Sequence, residues 1–122
     1  MKISLYSFGF KHGHAQADLV WDVRFLPNPF WVPELKPFTG KESQVASYVL
    51  NNQSALRFLA LLEPLLTFLL DEYDARGRES VTLAVGCTGG KHRSVAVVEW
   101  LRAWLGQQGR PTETYHRDID KD

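Results

Sequence analysis

The sequence predicts an α/β domain: a small, mainly parallel sheet of about four strands with helices packed on it. Three observations predict it. Short β-rich runs alternate with segments of helical period along the 122 residues, the order that parallel sheets require. "SVTLAV" (80–85) is a continuous apolar run of the kind found in the middle of parallel sheets. It leads directly into a glycine-rich turn and a further helical pattern, the strand–loop–helix unit of α/β sites.

The elements follow in order. "KISLYSF" (2–8) places Ile3 and Leu5 on one face and Tyr6 and Phe8 on the other, as in a buried strand. "GFKHGHAQAD" breaks the pattern as a loop. "LVWDVRFL" (19–26) reads as a second strand, with Leu19, Trp21, Val23 and Phe25 on one face and Asp22 and Arg24 on the other. Two opposite charges on one face of an otherwise apolar strand call for an explanation, either a salt bridge between them or a place in a site. "PNPFWVPELKPF" holds four of the six prolines and is an ordered, irregular segment. Thr39 and Glu42 form a capping-box pattern before a short helix carrying Val45 and Val49. A longer helix starts near Ser54, keeps its period through Leu59, Leu62, Leu66 and Leu70, and stops at Arg76–Gly77. Pro64 inside it predicts a kink or two abutting helices. The last helix carries Val97, Val98, Leu101, Trp104 and Leu105 and stops at Gly109; an edge strand ends near His116, before a polar tail.

Composition bounds the class. Residues 1–122 are expected to form one domain, long enough to bury a core unaided. Lys+Arg and Asp+Glu balance at 14 each, so no overall basic excess announces nucleic acid. The single cysteine cannot form an intramolecular disulfide and fits a reducing cytoplasm. The N-terminus lacks the apolar core of a signal peptide. No uninterrupted apolar run approaches the ~18 residues of a membrane span. The expectation is a cytoplasmic domain without membrane, cofactor or metal.

"VGCTGGKHRS" (85–94) carries the chemistry. Loop amides and a helix N-terminus at the carboxyl end of a strand favour an anion. Gly89 and Gly90 let the backbone approach a ligand closely. Thr88 and Ser94 offer hydroxyls, Arg93 a planar fork for two phosphate oxygens, and Lys91 and His92 a positive field. A plain strand-to-helix turn would need one glycine rather than six consecutive residues suited to an oxyanion. A Walker A loop is excluded, because His92 stands where the hydroxyl for magnesium belongs. Cys87 and Arg93 also have the C-x5-R spacing of cysteine-dependent phosphatases, with Ser94 next. In that reading Cys87 is the nucleophile, Arg93 holds the oxygens, and Asp22 or Asp118 is the general acid. Those phosphatases usually carry histidine before the cysteine, where this chain has Gly86.

The stretches "YSFGFKHG", "DLVWDVRFLPNPFW", "KPFTG", "VGCTGGKHRSVAVVEWL" and "HRDIDK" together resemble the C-terminal domain of the RapZ (YvcJ) family, in order and over nearly the whole chain. The resemblance implies a regulatory sensor that binds glucosamine-6-phosphate and presents small regulatory RNA to a ribonuclease, in a family that forms oligomers. It implies a phosphate site of Cys87, Thr88, Gly89, Gly90, Lys91, His92, Arg93 and Ser94, with Asp22, Arg24 and Phe30 in the sugar pocket. Full-length members add an N-terminal nucleotide-binding domain with Walker motifs, so the sequence reads as a free-standing or excised domain. It departs from the family in two further places. Phe30 replaces a frequent histidine after "PNP", and "DIDKD" replaces a basic tail, which weakens attraction to an RNA backbone.

Three functions therefore stand: a phosphometabolite sensor, which the residues favour; a cysteine phosphatase; and an RNA or protein adaptor using the basic loop with the 27–37 segment. His12 and His14 read as surface loop residues, and with His92 and His116 they show no recognised zinc spacing. Phe25, Trp21, Trp100 and Trp104 read as core. Phe30 and Trp31 read as a pocket lip or a partner surface.

Overall fold

Four strands form one all-parallel sheet in the order β2-β3-β1-β4, in a computed structural model that describes residues 1–121. They are β1 (Lys2–Gly9), β2 (Leu19–Asp22), β3 (Ser80–Cys87) and β4 (Thr112–His116). The two apolar runs, β1 and β3, pair at the centre of the sheet and are buried on both faces. The less apolar β2 and β4 take the edges. Register aligns the carboxyl ends: Gly9 opposite Cys87, Asp22 opposite Gly86, and Ser7 opposite His116. The loops leaving all four strands therefore share one rim.

Alternation divides the core. Ile3, Leu5, Val81, Leu83, Val85 and Cys87 point to the face covered by α1 (Ser43–Leu50), α2 (Gln53–Ala75) and α3 (Arg93–Gln107). Tyr6, Phe8 and Ala84 point to the opposite face, where Phe10, Ala15 and Ala17 of the loop after β1 cover them. The helices therefore lie on one side, and an aromatic loop closes the other.

Several sequence expectations are corrected. The second strand ends at Asp22 rather than Leu26: Val23 N–H still reaches Gly86 O, but Leu26 N–H then turns back to Val23 O. Val23 and Leu26 are buried while Phe25 is 55% exposed against Phe58, so Phe25 is not core. Trp21, Trp100 and Trp104 pack half-buried on the main core. The Thr39–Glu42 pair forms, with Glu42 accepting from Thr39 N and Oγ1, yet the helix begins one turn later with Glu42 as its N-cap. A single helix, α2, runs through Pro64. By length and mean hydropathy (1.4) α2 is apolar enough to cross a bilayer, a property that uninterrupted runs did not reveal. Its Leu59, Leu62, Leu66 and Leu70 are nevertheless buried in this fold.

Candidate functional site

β3 delivers Cys87 to the rim, and the chain then loops over 88–92 into the first turn of α3. The close approach of this loop to the end of β1 decides which residues can build it. At Gly90 φ is 81°, and a Cβ there would stand 2.6 Å from Gly9 N. Only glycine suits both conditions. At Gly86 a Cβ would meet the rings of Phe8 and Phe10 at about 2.5 Å. A phosphatase-type histidine before Cys87 therefore has no room.

Arg93, the first residue of α3, is 6% exposed. Its Nη1 donates to Arg24 O (2.7 Å) and reaches Leu26 O at 3.5 Å, while Nη2 approaches Thr88 Oγ1 only at 3.5 Å. Its Nε is buried with no hydrogen-bond partner. A desolvated donor on a cation is unfavourable by about 1–3 kcal/mol or more until an acceptor arrives. No side chain caps the start of α3, so its first N–H groups and the positive end of the helix dipole are also open to an acceptor. Cys87 is buried, its Sγ 3.1 Å from Ser94 Oγ.

These groups form the inner wall of a cavity of about 820 Å³, which Cys87, Thr88, Gly89, Lys91, His92 and Arg93 line. The outer wall comes from the proline-rich segment: Asn28, Phe30, Trp31, Pro33, Lys36 and Pro37. Lys11, after β1, completes it. Three lysines at one mouth, above a buried arginine and an uncapped helix, give the cavity a strongly positive field. The arrangement is chemically suited to hold a small anion.

The structure separates the sequence-predicted residues. Gly90 and Ser94 support the loop from behind and are absent from the cavity wall, whereas Phe30 is part of it. Asp22 and Arg24 are absent too: they pair with each other (Nη2–Oδ2 2.7 Å), and Arg24 serves the site through its carbonyl on Arg93. His92 contributes little to that positive field. Burial lowers its pKa below the usual 6.5, and its Nε2 is hydrogen-bonded to Lys36 O (2.9 Å), tying the outer wall to the loop. His12 and His14 are not wall residues, and among the described residues no group of three or more His, Cys, Asp or Glu is placed to hold a metal.

Neither candidate general acid has the properties that role needs. Arg24 hydrogen-bonds the Asp22 carboxylate and lowers its pKa. Asp118 is fully buried. Burial pushes its pKa up, but Arg117, the Gly9 N–H and Lys121 outweigh burial and hold it at about 2. Gly9 N–H donates to Asp118 Oδ2 at 2.7 Å, so the chain after β4 clamps the end of β1 beneath the Gly89–Gly90 turn. Sequence reasoning missed Lys11, and it offered Asn28, Pro33, Lys36 and Pro37 only as parts of the 27–37 partner surface, not as a wall of the phosphate cavity. The available signal was that the loop after β1 and the proline segment both leave strands at the rim that carries Cys87.

The chain matches known proteins over nearly its whole length. A family model described as the RapZ C-terminal domain matches residues 1–120. A nucleotide-binding protein of Streptomyces coelicolor is 51% identical over 123 residues, covering 100% of this chain and 41% of its own length. One from Anaeromyxobacter sp. is 51% identical over 121 residues, covering 98% and 41%. One from Cutibacterium acnes is 50% identical over 123 residues, covering 100% and 42%. The chain thus spans about two-fifths of the length of the curated relatives it matches.

Proposed function

Because the chain belongs to the RapZ C-terminal domain family, we propose that it binds a phosphorylated metabolite in the cavity at the carboxyl rim of the sheet. An amino-sugar phosphate such as glucosamine-6-phosphate is the preferred ligand, and the role is regulatory rather than catalytic. The observation that carries this reading is the Arg93 guanidinium, anchored on the Arg24 carbonyl with its buried Nε unpartnered. A phosphate oxygen at that nitrogen, with Thr88 and the α3 amides beside it, supplies the missing acceptor in charge-assisted form. The relatives' name, nucleotide-binding protein, is compatible with a phosphate ligand. Their other three-fifths lies outside this match.

Catalysis by Cys87 is the weaker reading. The Cys87–Ser94 contact and Arg93 suit a phosphatase, but Asp118 is held at about 2 and Asp22 is paired with Arg24, so neither candidate acid keeps the proton a leaving group needs. RNA, a ribonuclease and further copies of this chain enter as partners through the family. Lys11, Lys36 and Lys91 at the cavity mouth suit an RNA backbone. The acidic tail bears on this reading as well. Asp118 is buried and ion-paired, so its charge is already compensated, whereas Asp122 lies outside the described residues. A cytoplasmic address belongs to the same proposal.

Isothermal calorimetry with glucosamine-6-phosphate and with unphosphorylated glucosamine tests the ligand class. Binding of the phosphate ester, and none of the free sugar, is expected. No heat with any sugar phosphate would dispose of the sensor.

A further inference from the structure

The phosphate reading leaves half of the cavity unexplained. At about 820 Å³ the cavity lies in the upper part of the range of about 300–1,000 Å³ that encloses drug-sized ligands. The Thr88–Arg93 loop accounts only for its inner wall. The outer wall carries two aromatic rings with Pro33, Lys36 and Pro37 beside them, and of the two rings Trp31 is the more exposed, 76% accessible against 44% for Phe30. An indole left in water at the lip of a cationic cavity is the kind of surface that marks a binding site.

The segment is held in place rather than floppy. Residues Pro29–Trp31 form a turn of 3-10 helix with proline at its start, and the Asn28 side chain accepts from Phe30 N–H (3.1 Å). The Phe30 ring meets Trp31 edge-on at 4.9 Å and 90°. The Lys36 ammonium sits 4.1 Å from the Phe30 ring centroid. Phe30 is thus used as a brace, and His92 ties Lys36 back to the phosphate loop. The indole is left as the ring available to a ligand. An exposed aromatic plane fixed beside an anion site is the combination by which proteins hold a base and its phosphate together.

Resting on the phosphate-site reading above, we propose that Trp31, braced by Phe30 and Lys36, is a stacking subsite for a planar ring. The domain then takes nucleoside phosphates as a second ligand class. The phosphate occupies the Arg93 loop and the base lies on Trp31. A sugar phosphate fills only the inner half, so the two classes compete for one loop.

The test compares adenosine 5′-monophosphate with ribose 5-phosphate by calorimetry and by quenching of tryptophan fluorescence. The two share phosphate and pentose and differ by the base. Stacking on an aromatic side chain predicts at least fivefold tighter binding of the nucleotide. Trp31→Ala should bring the ratio of nucleotide to ribose 5-phosphate affinity down to about one. Trp31→Phe should restore most of the difference. Added glucosamine-6-phosphate should displace the nucleotide. Equal affinities of the two ligands in the wild type would overturn the stacking subsite and leave the phosphate site standing. Failure of both ligands, and of inorganic phosphate, to bind would overturn the phosphate site itself.

Discussion

Replacing Asp118 by asparagine tests how the chain after β4 supports the loop. The carboxylate is fully buried and holds Gly9 N–H, the Arg117 guanidinium and the Lys121 ammonium at once. Asparagine keeps an acceptor for Gly9 but loses both charge-assisted contacts. The fall from 3.8 to about 2 corresponds by linkage to about 2 kcal/mol of stability at neutral pH. A folded pKa below the unfolded one gives stability that is complete above the unfolded value and is lost as pH falls toward the folded value. By linkage, about half of this is gone by pH 3. Urea unfolding of both proteins at intervals from pH 7 to pH 3 reads this directly. The wild type should exceed Asp118→Asn by about 2 kcal/mol down to pH 5, with the gap narrowing to about 1 kcal/mol at pH 3. A gap that stays constant with pH, or no gap at pH 7, would refute the clamp.

Three further outcomes follow from the geometry. Gly90→Ala should lower stability by about 1–3 kcal/mol, as a non-glycine residue forced into positive φ does, and should abolish sugar-phosphate binding because Gly9 N blocks its Cβ; an unchanged thermal midpoint would count against the packing described. Cys87→Ser should bind glucosamine-6-phosphate within about twofold of wild type, an isosteric change worth only a few tenths of a kcal/mol at the ligand. The wild type should not hydrolyse p-nitrophenyl phosphate, and turnover lost in Cys87→Ser would instead establish the phosphatase. Burial lowers the pKa of His92 and His116 below 6.5, so stability should decline as pH drops below about 6.5. His116→Gln should remove part of that decline, and a flat profile between pH 7 and pH 5 would contradict it.

Sheet class and both central strands were legible because continuous apolar runs such as "SVTLAV" have one economical place in a parallel sheet. The phosphate loop was legible because its residue types converge on one chemistry. The length of β2 was not. Val23 and Leu26 are buried by a turn, yet the residues from 19 to 26 alternate as a strand would. Phe25 was misplaced for the same reason. Lys11 lies in a single 3-10 turn and Lys36 in a turn of the proline segment, neither with any periodicity, so nothing local says that they meet at one cavity. His92 looked like a source of positive charge because burial, which lowers its pKa, is a property of tertiary packing. Asp118 looked like a free acid in a polar tail, and only the fold brings Gly9 to it.

A crystal structure grown with glucosamine-6-phosphate addresses the central claim most directly. The phosphate should lie at the carboxyl rim of the sheet with one oxygen within hydrogen-bonding distance of Arg93 Nε and others on Thr88 and the first amides of α3. A phosphate bound elsewhere, with Arg93 Nε still unpartnered, would contradict the account.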